Sequence, residues 1–383
     1  MRDRVQTARA RPAAGGPSAL RELLERVERA TPAGRDRAID GLRALAIAGV
    51  VLGHWLVTAL VADSGTLRGA SPLRELPAFT PASWLFQTLA VFFLVGGLVA
   101  ARGRARAEQG FRAWLRRRLA RLFAPVMAVA AVWSVIAVTM LARGVAVDTV
   151  LALAALVWSP LWFLLVFGAL TALTPVAARI GPAWPVAVVA LVDLVRFWLG
   201  GPGWLGWVNV IAGWLVPYCL GASWAGGLPS RRTGWALLLG GAAATAVLVL
   251  WAGYPASMVG VPGAAVSNLD PPTLAAVTFG LAQCGAARLL AGPLRRALRR
   301  PLAWAAVAVV NVHAITIFLW HQTAMIAVTA LGLLTGGILP GLHTAPDSAA
   351  WVAARLAWLP VFGAALVACC ALAGVKRPGR AGG

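Results

Sequence analysis

The sequence predicts an all-α fold, a polytopic transmembrane helical bundle of about ten helices. Of its 383 residues, 60% are hydrophobic and only 12% are charged, whereas about a quarter of the residues in a soluble domain are charged. The charges cluster between apolar runs of roughly 20 residues, the length that crosses a bilayer as a helix. These runs lack the dyad alternation of an outer-membrane barrel.

The chain divides by hydropathy into a basic tail, a transmembrane domain and a second basic tail, with bounds 1–36, 37–374 and 375–383. In the first tail, the spacing of apolar residues from Leu20 to Val27 predicts an amphipathic helix on the membrane surface, the alternative being a helix that binds a soluble partner. The ten predicted spans are residues 39–61, 81–101, 121–142, 158–178, 183–199, 207–225, 233–252, 273–291, 303–333 and 351–374.

Positive charge predicts the orientation. Of the 34 Lys and Arg residues, 28 lie in the two tails and in alternate loops, and only five lie in or near the loops on the opposite side. Lys and Arg accumulate on the cytoplasmic side, so the expected location is the inner (plasma) membrane, with both termini cytoplasmic. The net charge of +21 is then explained by this topology and by anionic membrane lipid, and nucleic acid is not expected as a partner.

The four cysteines lie in apolar runs and show neither CxxC nor Cys/His ligand spacing. They are interpreted as small buried residues. No metal site and no bound cofactor are expected.

Arg43 and His54 stand out in the first span. They are eleven residues apart, which places them on one helical face, roughly 16 Å apart along the axis. Ionisable groups inside a membrane span favour a functional site. The alternatives are an ordinary anchoring arginine and a packing histidine. Elsewhere, Asp193 and Arg196 are predicted to pair at i, i+3.

Five segments carry a family resemblance. In chain order they are Asp40–Trp55 with Arg-x10-His, Phe92–Gly97, Phe111–Leu122 with Arg118-x-x-Arg121, Leu161–Leu164 and Ile315–His321. Together they resemble acyltransferase family 3, a family of integral membrane O-acyltransferases, over nearly the whole chain. Gly96 stands where that family usually has serine, and Phe318 where tyrosine is usual.

The resemblance implies transfer of an acyl group, commonly acetyl, from cytoplasmic acyl-CoA as co-substrate. The acceptor would be a hydroxyl of a carbohydrate, lipid-linked or other envelope-associated molecule. By position, His54 and Arg43 are expected to act in catalysis. The residues expected to bind the donor are Arg118, Arg121 and Trp162, and His321 is expected to support the catalytic pair. The alternatives are a solvated arginine cluster at Arg118 and Arg121 and a packing role for Trp162. His313 is assigned a structural role and His343 none.

Two other function classes fit a ten-helix protein with polar residues in its spans. A transporter or flippase would move its substrate independently of acyl-CoA and would have discontinuous helices in two related halves. A non-catalytic scaffold would tolerate the simultaneous loss of Arg43 and His54.

Overall fold

The computed structural model describes residues 17–63 and 66–374. The tail predictions for residues 1–16 and 375–383 lie outside the described residues. The helices are α1 (Pro17–Arg29), α2 (Arg37–Val57), α3 (Pro72–Glu75), α4 (Ser83–Phe86), α5 (Leu89–Ala105), α6 (Phe111–Ala142), α7 (Val147–Trp158), α8 (Trp162–Ala172), α9 (Thr174–Ile180), α10 (Ala183–Trp198), α11 (Val208–Ser223), α12 (Arg231–Trp251), α13 (Leu274–Ala297), α14 (Pro301–Val312), α15 (Ala314–Leu333) and α16 (Ala349–Gly374).

Short 3-10 turns precede or follow several of these helices, at Pro77–Ala82, Ser159–Leu161, Gly203–Trp207 and Trp224–Gly226. Within the described ranges, nine helical segments are long and apolar enough to cross a membrane. A tenth is counted if α9 and α10, bent by 91° at their junction, form one span. The predicted helical bundle is confirmed, with nine or ten crossings.

The first span ends earlier than predicted. Asp36 caps α2 by accepting a hydrogen bond from the Ala38 N–H at 3.2 Å. The helix stops at Val57, and Thr58 is extended, a conformation that β-branched residues favour. The end of the predicted span instead forms β1 (Ala59–Asp63), which pairs antiparallel with β2 (Thr66–Ala70).

The fourth predicted span begins too late and ends too late. Residues 143–157 were expected to form a loop, but α7 begins at Val147 and continues through the Ser159–Leu161 turn into α8. Helix α8 ends at Ala172, because Pro175 in the first turn of α9 lacks the N–H that a continuous helix would require. Helix α9 then stops before Gly181, whose φ is +65°.

The ninth predicted span is two helices rather than one. Helix α14 ends at Val312, and α15 begins at Ala314, with His313 between them. Neither Gly nor Pro marks the break; the local sequence is instead rich in β-branched residues, which are weak helix formers. The Asn311 side chain also donates a hydrogen bond to the Asp40 carbonyl at 2.8 Å, which connects this break to α2.

Glycines allow the closest helix packing in the bundle. A Cβ built on Gly97 of α5 would lie 2.1 Å from the Tyr218 carbonyl oxygen of α11, and one on Gly221 of α11 would lie 1.8 Å from that of Leu94. Small residues at such crossings let two backbones approach closely. Tyr218 at this crossing belongs to the buried cluster that also contains Phe163, a residue of the cavity wall described below.

Candidate functional site

A cavity of about 520 Å³ lies between α2, α5, α6, α8, α14 and α15. Most of its wall is apolar, but three arginines, Arg43, Arg118 and Arg121, lie along it. Of these three arginines, Arg121 is exposed at the protein surface. The remaining lining residues are Ile47, Val50, Phe92, Val95, Gly96, Val99, Leu119, Leu122, Phe163, Leu164, Phe167, Thr171, Asn311, Val312, Ala314, Ile315 and Phe318.

The arginines of the cavity have no carboxylate partner. Among the described residues, none of the three lies within 4.0 Å of an acidic side chain. Asp40, one turn before Arg43, is held by Arg35 through contacts of 2.6 and 3.1 Å. That hydrogen bond also raises the pKa of Arg35, which precedes the first span.

Of the two α6 arginines that line the cavity, Arg118 is the more buried. Its Nε is buried and has no hydrogen-bond partner among the described residues, and its guanidinium lies 5.7 Å from the Trp114 ring centroid. An unpaired guanidinium nitrogen beside a cavity can donate to an anionic ligand. The arginine-lined end of the cavity therefore has a hydrogen-bond donor that is not engaged by the described residues.

One face of α2 connects this end of the cavity with His54. Arg43, Ile47 and Val50 line the cavity, and His54 follows Val50 by one helical turn on the same face. On α15, Phe318 lines the cavity, and its ring centroid lies 5.9 Å from that of His321. The histidines thus lie just behind the floor formed by Val50 and Phe318.

His54 and His321 are neighbours, with ring centroids 5.1 Å apart. His321 is 1% exposed, and its Nδ1 lies 2.6 Å from the Phe318 carbonyl oxygen. Gln322, the next residue on α15, places its amide nitrogen 3.4 Å from His54 Nδ1. Sequence reasoning missed Gln322, because an uncharged side chain beside a histidine motif carries no signal of its own.

Trp162 does not line the cavity. It is half-buried, and its ring centroid lies 6.4 Å from those of Phe163 and Trp214. Its neighbour Phe163 and, one turn later, Phe167 form the wall instead. The structure therefore brings Arg43, Arg118 and Arg121 together at the cavity and His54 and His321 together behind it, but leaves Trp162 apart.

Arg355, one of the five basic residues in or near the loops opposite the basic side, has a defined position in the structure. It is 1% exposed and donates to the carbonyls of Trp55 at 2.7 Å, Thr58 at 2.6 Å and Gly341 at 3.0 Å. Two of these carbonyls belong to the end of α2, where unpaired C=O groups carry partial negative charge. Arg355 thereby fixes the end of the helix that carries His54.

A group of four polar residues lies away from the cavity. Asp193 and Arg196 approach to 3.8 Å, as predicted, and Asp193 also accepts from Asn209 and Tyr254. Burial, followed by the nearby Asp193 carboxylate, raises the pKa of Tyr254 in the loop after α12.

His343 was assigned no role, yet it is fully buried and joins three segments. Its Nδ1 accepts from the Leu339 N–H at 3.1 Å, its Nε2 lies 2.9 Å from the Thr329 carbonyl oxygen, and its own carbonyl accepts from the Ala62 N–H. It therefore connects β1, α15 and the loop before α16. His313, at the α14–α15 break, is exposed.

Comparison with known proteins gives one match. A family described as an acyltransferase domain, acyltransferase family 3, matches residues 36–374. No curated protein and no solved structure matches the chain. The matched range includes α2 and every helix of the cavity wall.

Proposed function

The chain belongs to acyltransferase family 3, and from this premise we propose that it transfers an acyl group, acetyl being the first to test, from acyl-CoA to a hydroxyl. The acceptor in this proposal is a carbohydrate, lipid-linked or other envelope-associated molecule. The observation that carries the proposal is the cavity with three arginines along its wall and two histidines behind its floor.

The arginine-lined end suits the phosphates of acyl-CoA. Guanidinium groups bind phosphate oxygens through two parallel hydrogen bonds, and Arg43, Arg118 and Arg121 have no competing carboxylate within the described residues. The apolar wall beyond them suits the uncharged pantetheine arm. The span from Arg43 to His54 is roughly 16 Å, so an extended arm is needed to present its thioester near the histidines.

In the proposed reaction, the acceptor oxygen attacks the thioester carbon while His54 takes the hydroxyl proton. A C–O bond forms, the C–S bond breaks, and the proton passes from His54 to the departing thiolate. The products are an ester and the CoA thiol. A positioned histidine acting as general base contributes roughly 100- to 10,000-fold to such a step.

The proposal is tested with purified protein, labelled acetyl-CoA and membrane extract as the acceptor source. We expect wild-type protein to form labelled ester and His54→Ala to be at least roughly 100-fold slower. His313→Ala is the matched control, since it removes an exposed histidine that does not line the cavity. Full activity of His54→Ala would exclude His54 as the base.

A transporter or flippase is the second candidate, and the 91° bend between α9 and α10 is the observation that favours it. Discontinuous helices are common at transport sites. Substrate movement into vesicles in the complete absence of acyl-CoA would support it, whereas ester formation without such movement would favour the acyltransferase.

A further inference from the structure

The side chain of Gln322 is an unusual group to bury in a membrane-spanning helix. It is 3% exposed, and its amide oxygen has no hydrogen-bond partner among the described residues. Its amide nitrogen has one, His54 Nδ1, at 3.4 Å. A polar group in a span usually faces a partner or a functional site, so His54 is the group that accounts for the amide at this position.

A contact at Nδ1 of a neutral histidine determines whether Nε2 carries the proton or the free lone pair. Neutral imidazole carries one N–H and one lone pair, and the partner of one nitrogen fixes the state of both. A half-turn of the terminal amide exchanges its oxygen and nitrogen without changing its shape. With the amide nitrogen at Nδ1, the lone pair of Nδ1 is engaged and Nε2 carries the proton, so neither nitrogen is free to accept another. With the amide oxygen there, Nδ1 carries the proton and Nε2 has a free lone pair. Only the second arrangement leaves His54 able to act as the base of the proposed reaction.

His321 provides a contrast on the same helix. Its Nδ1 faces the Phe318 carbonyl oxygen at 2.6 Å, and a carbonyl only accepts hydrogen bonds. The Nδ1 of neutral His321 therefore carries the proton, and its Nε2 holds the lone pair. A backbone carbonyl sets the tautomer of His321. The corresponding nitrogen of His54 is contacted by the Gln322 side chain, which a substitution can remove.

We propose that Gln322 is a positioning residue that keeps the proton of His54 on Nδ1, by accepting it at the amide oxygen, and so leaves Nε2 as the base. The inference rests on the proposed function for the task of His54. The tautomer itself, however, is a property of the resting protein and is measured without any reaction.

The primary test is nitrogen NMR of the full chain, labelled with ¹⁵N-histidine and held in lipid nanodiscs, because the two tautomers give distinct Nδ1 and Nε2 resonances. The chain has four histidines, so single His→Ala variants assign the signals. We expect the Nδ1–H form for His54 in the wild-type protein. The Nε2–H form there would overturn the proposal, and this readout does not depend on any Gln322 variant folding.

The second test replaces Gln322 by Met, which keeps the length of the side chain, and by Glu, which keeps an acceptor oxygen. In Gln322→Met we expect His54 to shift towards the Nε2–H form. The kcat for acetyl transfer should fall roughly fivefold or more, since one net hydrogen bond of about 1 kcal/mol corresponds to that ratio. We expect an unchanged KM for acetyl-CoA and recovery of the tautomer in Gln322→Glu.

Gln283→Met is the matched control, because Gln283 is another amide within a span that bonds across helices, to the Gln87 carbonyl. It should leave the His54 and His321 signals unchanged. An unaltered His54 tautomer in Gln322→Met would refute the role of Gln322. Full activity of His54→Ala would exclude His54 as the base. A His54 tautomer that changes in Gln322→Met would, even then, support the positioning role of Gln322.

Discussion

At the scale of single residues, Arg118 carries the most specific expectation for the donor. It lies in the cavity wall with an unpaired, buried Nε, whereas its neighbours Arg116 and Arg117 are exposed and do not line the cavity. The same short basic run thus contains a residue suited to a bound phosphate and two suited to lipid headgroups. What distinguishes Arg118 from Arg116 and Arg117 is that its side chain lines the cavity.

Replacing Arg118 by Gln should raise the KM for acetyl-CoA roughly 10- to 100-fold, the value of one or two hydrogen bonds to a charged group. The measurement compares acetyl-CoA with S-acetylpantetheine, which lacks the nucleotide phosphates. The increase should be confined to acetyl-CoA and should be absent in Arg117→Gln. An equal loss with both substrates would place Arg118 outside phosphate recognition.

At the scale of helices, the end of α2 depends on a side chain from α16. Arg355 satisfies carbonyls of Trp55, Thr58 and Gly341 at once, so its loss would leave these acceptors unpaired, two of them in buried contacts. The pair His54–His321 is one turn or less from these contacts along α2. Rigid placement of His54 therefore relies on the last helix as well as on its own.

Arg355→Met should lower the free energy of unfolding by at least about 2 kcal/mol, because each of the two buried acceptors left unpaired costs roughly 1 kcal/mol or more. Thermal unfolding in detergent, followed by tryptophan fluorescence, measures the change. Arg143→Met, at the exposed end of α6, should leave the midpoint unchanged. Equal midpoints for wild type and Arg355→Met would show that other groups support this end of α2.

Sequence patterns located most of the spans because long apolar runs and charge clusters are local signals. The break at His313 has no such signal, since β-branched residues are common in membrane spans and only the sideways bond of Asn311 to α2 reveals it. The predicted face shared by Arg43 and His54 follows from helical geometry alone. The cavity, Gln322 and the outlying position of Trp162 depend on contacts between distant helices, which one sequence does not encode locally.

At the scale of the whole molecule, the number of crossings decides whether the two ends of the chain share a side of the membrane. Nine crossings would place them on opposite sides, and ten, with α9 and α10 forming one bent span, on the same side. The distribution of positive charge predicts the same side. Whether α9 and α10 form one span therefore determines the topology.

A cysteine-labelling experiment distinguishes the two topologies. The four native cysteines are first replaced by alanine, and single cysteines are then placed at Ala30, Asp347 and Gly374, which are exposed. An impermeant maleimide should label Asp347→Cys in intact cells, but Ala30→Cys and Gly374→Cys only after permeabilisation. Different behaviour at Ala30 and Gly374 would establish an odd number of crossings.

The bond between Arg355 and the Trp55 carbonyl also has a consequence for biosynthesis. The two residues are 300 positions apart, so at about 5–20 residues per second the ribosome needs roughly 15–60 s to supply the partner. During that interval the first helix to enter the membrane has no guanidinium at its C-terminal end. The hydrogen bonds at the end of the helix that carries His54 thus form only when α16 inserts. A chain stopped before α16 would hold every cavity-lining residue but lack the hydrogen bonds from Arg355.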